Sequence, residues 1–321
     1  MRRLRTHILL LAVAVLFAAC DPHEFPVSGK GDALHDFSLN LQFDDLLPDY
    51  KLIDISTRAG AVVEPRYTVL LYRCLGESAL GPDPEYSYTF KRRSVIDLDT
   101  TIFLAVDPAR YRVAGWVDWV DDAPYYDLSD PMDIVFPQDY SEREYARDAF
   151  AFTTDYDVSD KIVAGEVFHK TVTLQRPVAQ LRFVAHEALT FLSDMNMAAA
   201  EMTATLRYTN GIPDGYNLLL GTATKLRERV LLTAVPYMDT TGDLVFVSDF
   251  LFSTDEGTTE SVDFTLKDAA GNLIAAFTGE VPLRRAHATT VTFLYDSSSH
   301  VVNPGGINIS PEFDEEIEVP I

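Results

Sequence analysis

The chain has two cysteines in 321 residues, Cys20 and Cys74, too few for a disulfide framework. Its stability must therefore come from packed elements. Basic residues are scarce, 26 Lys and Arg against 49 Asp and Glu for a net charge of −23. That balance excludes nucleic acid as a partner, because phosphates demand a basic face. No apolar run reaches the roughly 20 residues of a membrane-spanning helix. The histidines stand singly, at His7, His23, His35, His169, His186, His287 and His300, and no HxH or HExxH spacing puts two imidazoles on one face. There is no GxSxG elbow, no P-loop and no dinucleotide fingerprint. Nothing in the sequence asks for a cofactor.

Apolar residues make up 47% of the chain, with 15 Tyr and 19 Phe. That is enough to build real cores, so disorder is not the reading. The N-terminus is organised differently. Arg2, Arg3 and Arg5 precede an apolar run from Ile8 to Phe17, the length of a secretory signal. Ala18, Ala19 and Cys20 follow in an arrangement that resembles the bacterial lipoprotein signal, with Phe17 where leucine is usual. This resemblance implies cleavage after Ala19 and acylation of Cys20; an ordinary signal cut near Ala19 is the alternative. The mature part carries 23 basic against 49 acidic residues, a net of about −26. Such charge keeps an exported protein soluble. Residues 1–19 are thus expected to be a signal peptide, and 20–33, polar and rich in Gly and Pro, a tether.

The body consists of short alternating runs broken by turn signals, including "FSLNLQF" (37–43), "RYTVLLY" (66–72), "YSYTFKRR" (86–93), "TIFLAV" (101–106) and "RYRVAGWVDWV" (110–120). Period-two patterns separated by loops predict antiparallel β-sandwiches. A second set starts near 166 with "EVFHKTVTLQRPVAQLRFVA" and continues to "EEIEVPI". Only 187–200 reads as helix, rich in Ala, Leu and Met without Pro or Gly. About 300 mature residues suggest two domains, placed at 34–165 and 166–321. No exact internal repeat is present, though two successive sandwiches would be a structural duplication. "DAAGN" (268–272) and "DTTGD" (239–243) read as turns.

Two features invite functional readings. Asp118, Asp121, Asp122, Asp127, Asp130 and Asp133 lie among Trp116, Trp119, Tyr125 and Tyr126. Acids mixed with rings are what a sugar-binding platform uses. The same stretch matches no EF-hand spacing, and it also reads as a strand running into an acidic surface loop. The alternation puts Trp119 on the same side as Tyr111 and Val113, a core position. Cys74, the lone thiol left after Cys20, reads as a small buried hydrophobe.

Several stretches together carry a resemblance. "CDPHEFP", "YRVAGWVDWVDD" followed by "YYD", "LQRPVAQLRFVA", "YTNGIPDGYNLLLG" and "VPLRRAHATTVTFLYD" occur in the order seen in the fimbrillin-like lipoproteins of Bacteroidales, the group of type V pilus major and anchor subunits, which this chain resembles over nearly its whole length. The resemblance implies two tandem transthyretin-like β-sandwich domains, the short helix of 187–200 falling in the second, export as an outer-membrane lipoprotein and no catalysis. It implies fimbrial subunits as partners through strand addition. Within that group, anchor or accessory subunits keep the lipid and first strand, the reading favoured here by the short tether. In polymerising pilins a protease cuts after a basic residue; Arg58 holds that place, leaving Ala59 first, and Ile317, Val319 and Ile321 share one face of a candidate donor strand. A carbohydrate-binding lipoprotein of a glycan-uptake system, using the aromatic platform, is the different class, and a hydrolase is the third possibility.

Overall fold

The computed structural model describes residues 35–43, 64–76, 79–91, 100–120, 125–136, 148–158, 168–228, 230–239, 241–296, 301–310 and 318–319. Among these the chain is almost wholly β, with one α-helix. The first half contributes β1 (His35–Phe43), β2 (Glu64–Arg73), β3 (Tyr86–Lys91), β4 (Thr100–Val106), β5 (Arg110–Val120), the short β6 (Ile134–Val135), β7 (Ala149–Asp157) and β8 (Phe168–Leu174). Apart from β6 these form two sheets, ordered β4-β1-β8 and β3-β2-β5-β7.

The second half opens with β9 (Val178–Ala185), helix α1 (Ala188–Met195) and β10 (Met202–Tyr208). Four short strands follow, β11 (Ile212–Pro213), β12 (Gly215–Asn217), β13 (Thr222–Ala223) and β14 (Leu226–Arg227). Then come β15 (Leu231–Ala234), β16 (Tyr237–Met238), β17 (Leu244–Phe252), β18 (Thr258–Asp268), β19 (Leu273–Leu283), β20 (Ala288–Asp296), β21 (Val301–Ser310) and β22 (Glu318–Val319). The main sheets here are β15-β10-β18-β19 and β16-β17-β9-β20-β21-β22.

The two halves share one topology. In each, the first long strand lies between the fourth and the seventh, antiparallel to the fourth and parallel to the seventh: β4-β1-β8 and β17-β9-β20. In each, the other sheet orders third, second, fifth and sixth: β3-β2-β5-β7 and β15-β10-β18-β19. The duplication is therefore visible in strand order without any repeated sequence. β8 hydrogen-bonds along β1 over seven residue pairs. Arg176 and Pro177 then interrupt the ladder before β9 begins.

The alternating patterns explain part of the burial and miss part of it. Tyr67, Val69 and Leu71 of β2 form one face, and Thr68, Leu70 and Tyr72 the other, yet all six are buried. In an isolated sandwich the second face would meet water. Here it is covered by residues 125–136, inserted between β5 and β7, and by β12 of the second half. Trp116 meets Tyr126, Tyr216 and Phe252 at ring-centroid distances of 5.1, 5.8 and 6.4 Å.

Pairing of β6 with β12 makes this covering continuous across the halves. Asp133 accepts hydrogen bonds from Lys225 and from Thr224, the latter at 3.2 Å. Gly215 sits at the closest approach, where a Cβ would lie 2.3 Å from Thr224 Oγ1 and 2.6 Å from Asp133 Oδ1. Gly215→Ala is expected to force these side chains apart and cost about 1–3 kcal/mol, read as a lower urea midpoint. An unchanged midpoint would mean that the crossing gives without loss.

Helix α1 is shorter than the 187–200 expected. Asn196 ends it in the left-handed region at φ 49, a conformation open to Asn but not to most residues. Both predicted turns are present: Gly271 (φ 85) closes the hairpin between β18 and β19, and Asp239 accepts the backbone N–H of Thr241 and of Asp243.

Candidate functional site

The element with the clearest functional geometry is β1. It pairs with β4 over seven residue pairs on one side and with β8 over seven on the other. Leu39 and Leu41 are fully buried among Ile102, Leu104, Val172 and Leu174 of those neighbours. Ser38, also buried, is hydrogen-bonded to His169 of β8 at 2.5 Å. Alternation in "FSLNLQF" produces this arrangement directly, since Leu39 and Leu41 fall on one side of the pleat. A strand bordered on both sides leaves a slot of its own width if it is withdrawn. Arg58, the position a maturation cut would use, lies outside the described residues, as does Cys20.

The C-terminal end pairs within the chain. Val319 lies in β22, opposite Ile307 of β21, with Glu318 opposite Asn308. Ile317 and Ile321, its companions on the expected donor face, are outside the described residues. β21 was not legible as a strand, because "NPGG" reads as a turn. The ladder accommodates it through a register shift at Thr292/Phe293, where Gly305 is left between Pro304 and Gly306, the geometry of a bulge.

The aromatic platform takes a different form from the one the sequence suggests. Trp116, Trp119, Tyr125 and Tyr126 are each 1% exposed or less, so none offers a ring face for stacking. Tyr125 and Tyr126 pack against one another and against Phe136, with centroids between 5.0 and 6.0 Å apart. Trp119 meets Phe150 at 5.5 Å. Composition could not separate these from surface rings; the insertion that covers them is what does so.

The acids around them are spread over separate tasks. Asp118 is fully buried and holds Arg66 in a bidentate ion pair of 2.8 and 2.5 Å. Burial raises its carboxyl above the ordinary range against the pull of Arg66. Asp127 accepts the Ser129 N–H, which lowers its carboxyl. Asp121 and Asp122 are outside the described residues. Among the described residues no group of three or more His, Cys, Asp or Glu is arranged to hold a metal ion, and no helix is long and apolar enough to cross a membrane.

Cys74 is partly buried beside β5 and donates its backbone N–H to the Arg110 carbonyl at 2.8 Å. Burial, then Asp155, push its thiol up, with Arg110 and Arg112 opposing. The thiolate is the reactive form. Cys74 is therefore expected to alkylate several-fold more slowly than a free thiol at pH 8 in the folded protein and at the free rate in denaturant. Equal rates would contradict its packing role.

A putative adhesin from Bacteroides thetaiotaomicron superimposes with a TM-score of 0.51 at 10% identity, over 87% of this chain and 97% of that one. The fimbrial anchor protein Mfa2 from Porphyromonas gingivalis gives 0.45 at 8%, over 89% and 99%. The tip fimbrial protein Mfa3 from the same organism, with a C-terminal truncation, gives 0.45 at 10%, over 87% and 98%. The Bacteroides protein shares the fold. No curated protein matches the sequence. Residues 37–321 match the model of a family of unknown function, DUF6562, and the chain belongs to that family.

Proposed function

We propose that the protein is a non-enzymatic outer-membrane lipoprotein, the anchor or accessory subunit of a type V fimbria, acting in assembly and adhesion through strand addition. The observation that carries this reading is the seat of β1. It begins fifteen residues after Cys20 and is built into the core between β4 and β8, with Leu39 and Leu41 fully buried. A lipid on Cys20 would thus hold the folded body close to the bilayer through its own central strand. The shared fold with the Bacteroides adhesin supports a cell-surface role.

The polymerising-pilin reading draws on the same geometry. A cut after Arg58 would release β1, and the slot between β4 and β8 suits a donor strand with alternating apolar residues, such as Ile317, Val319 and Ile321. In this structure β22 lies on its own sheet, which supports the retained-strand form. Replacing the lipid site tests the anchor: Cys20→Ser is expected to move the protein from the outer-membrane fraction to the soluble periplasmic fraction. Unchanged membrane association would overturn lipid anchoring.

A further inference from the structure

Four carboxylates are buried among the described residues: Asp118, Asp148, Asp249 and Glu260. Burying a charge is costly unless it is paired, and three of the four are provided for. Asp118 holds Arg66, Asp148 holds Arg176, and Asp249 accepts the Tyr208 hydroxyl at 2.9 Å. Glu260, 7% exposed, has no Lys, Arg or His paired with it among the described residues. Alternation puts it on the core face of β18 with Val262, Phe264 and Leu266. Val281 of β19 lies opposite it, with Leu283 two residues further on that strand; these five apolar residues are 2% exposed or less. β10 stops pairing at Tyr208, opposite Val262, whereas β18 and β19 pair on to Thr258 and Leu283. The end of the hairpin that carries Glu260 thus has a strand on one side only among the described residues.

The charged and titratable groups around it serve other partners or face away. Tyr208 of β10 is committed to Asp249 of β17, and Arg207 is exposed on the outer side. Asp263 and Lys267 of β18 and Glu280 of β19 alternate onto that outer side as well. Beyond β19, Arg285 pairs with Asp255 at 2.8 Å and Arg284 donates to the Asp255 carbonyl, while Glu256 is exposed. The polar group within reach is the Thr258 hydroxyl, two residues back on the same face. Its oxygen is buried and has no hydrogen-bond partner among the described residues. Burial raises the Glu260 carboxyl above the ordinary range, with Thr258 opposing. Protonated, Glu260 carries an O–H that the Thr258 oxygen can accept; ionised, it is a desolvated charge with no cation beside it.

We propose that Glu260 is a proton latch on this end of the β18–β19 hairpin: with the proton on, the end is closed against the core, and with the proton lost it opens to let the charge reach water. A carboxyl that the fold keeps protonated contributes stability below the ordinary glutamate range, and that contribution is lost as pH rises through its raised folded value. Asp155 and Asp239, whose carboxyls are lowered, lose their contributions as pH falls instead. The latch is therefore read from a change at Glu260 alone. It does not depend on the fimbrial reading, since it concerns one hairpin of the second half.

Amide hydrogen exchange of the purified mature chain, read by mass spectrometry at pH 5 and pH 8 and corrected for the intrinsic pH dependence of exchange, tests it. In the wild type, peptides covering 258–262 and 279–283 are expected to lose protection several-fold between the two pH values, and more than peptides from β9 and β20 do. Glu260→Gln keeps the shape without the charge, and is expected to hold the pH 5 protection at pH 8. An equal pH response in the variant, or no response in the wild type, would overturn the latch. So would a Glu260→Gln chain that fails to fold at pH 8, because the neutral side chain is the form on which the latch closes.

Discussion

Replacing Leu39 and Leu41 together by alanine is expected to leave the first half unable to stay folded at 37 °C. Each Leu→Ala in a core costs about 2–5 kcal/mol through lost burial and the cavity left behind. The pair thus removes roughly 4–10 kcal/mol, against a whole-protein stability of about 5–15 kcal/mol. Both side chains are completely buried, and β1 has a neighbour on each side to which the loss is transmitted. Gln42→Ala on the same strand is the control: it is exposed, and surface changes of this kind stay within about 0.5 kcal/mol. Thermal unfolding followed by circular dichroism reads the difference. A peptide of residues 35–43 added in excess is expected to restore part of the transition, because strand insertion supplies what the variant lacks. A double variant melting with the wild type would mean that β1 is not integral.

The second large effect lies between β8 and β9. Arg176, between β8 and β9, and Asp148, before β7, form an ion pair of 2.9 Å with side chains 2% and 3% exposed. The guanidinium also lies 5.0 Å from the ring centre of Phe150, and the other Asp148 oxygen accepts the Ala149 N–H. Removing one member of such a buried pair costs about 3–5 kcal/mol. Arg176→Met is therefore expected to lower stability by that amount. Arg176→Met with Asp148→Leu is expected to recover most of it, since apolar residues of similar volume replace buried pairs with little loss. Equal losses in the single and double variants would show that the site acts through packing shape rather than charge.

The fold was legible wherever one face of a strand meets the core. "FSLNLQF" and "ESVDFTLKD" alternate because one side is buried and the other wet, and both are strands. Legibility failed where the two halves cover one another. Thr68, Leu70 and Trp116 are buried by residues 125–136 and by β12, elements of two or three residues with no periodicity to read. The expected platform of Trp116, Trp119, Tyr125 and Tyr126 fell there for the same reason: an aromatic and acidic composition describes buried ring packing as well as a sugar site. The candidate β1 site could be read because it depends on a local pattern.

The intact mass of the protein purified from its native membrane decides whether β1 is kept. An acylated Cys20 on a chain running through β1 to Ile321 is expected. A mature chain beginning at Ala59 would contradict it, since β1 would then have been shed and the slot between β4 and β8 opened to another subunit's strand.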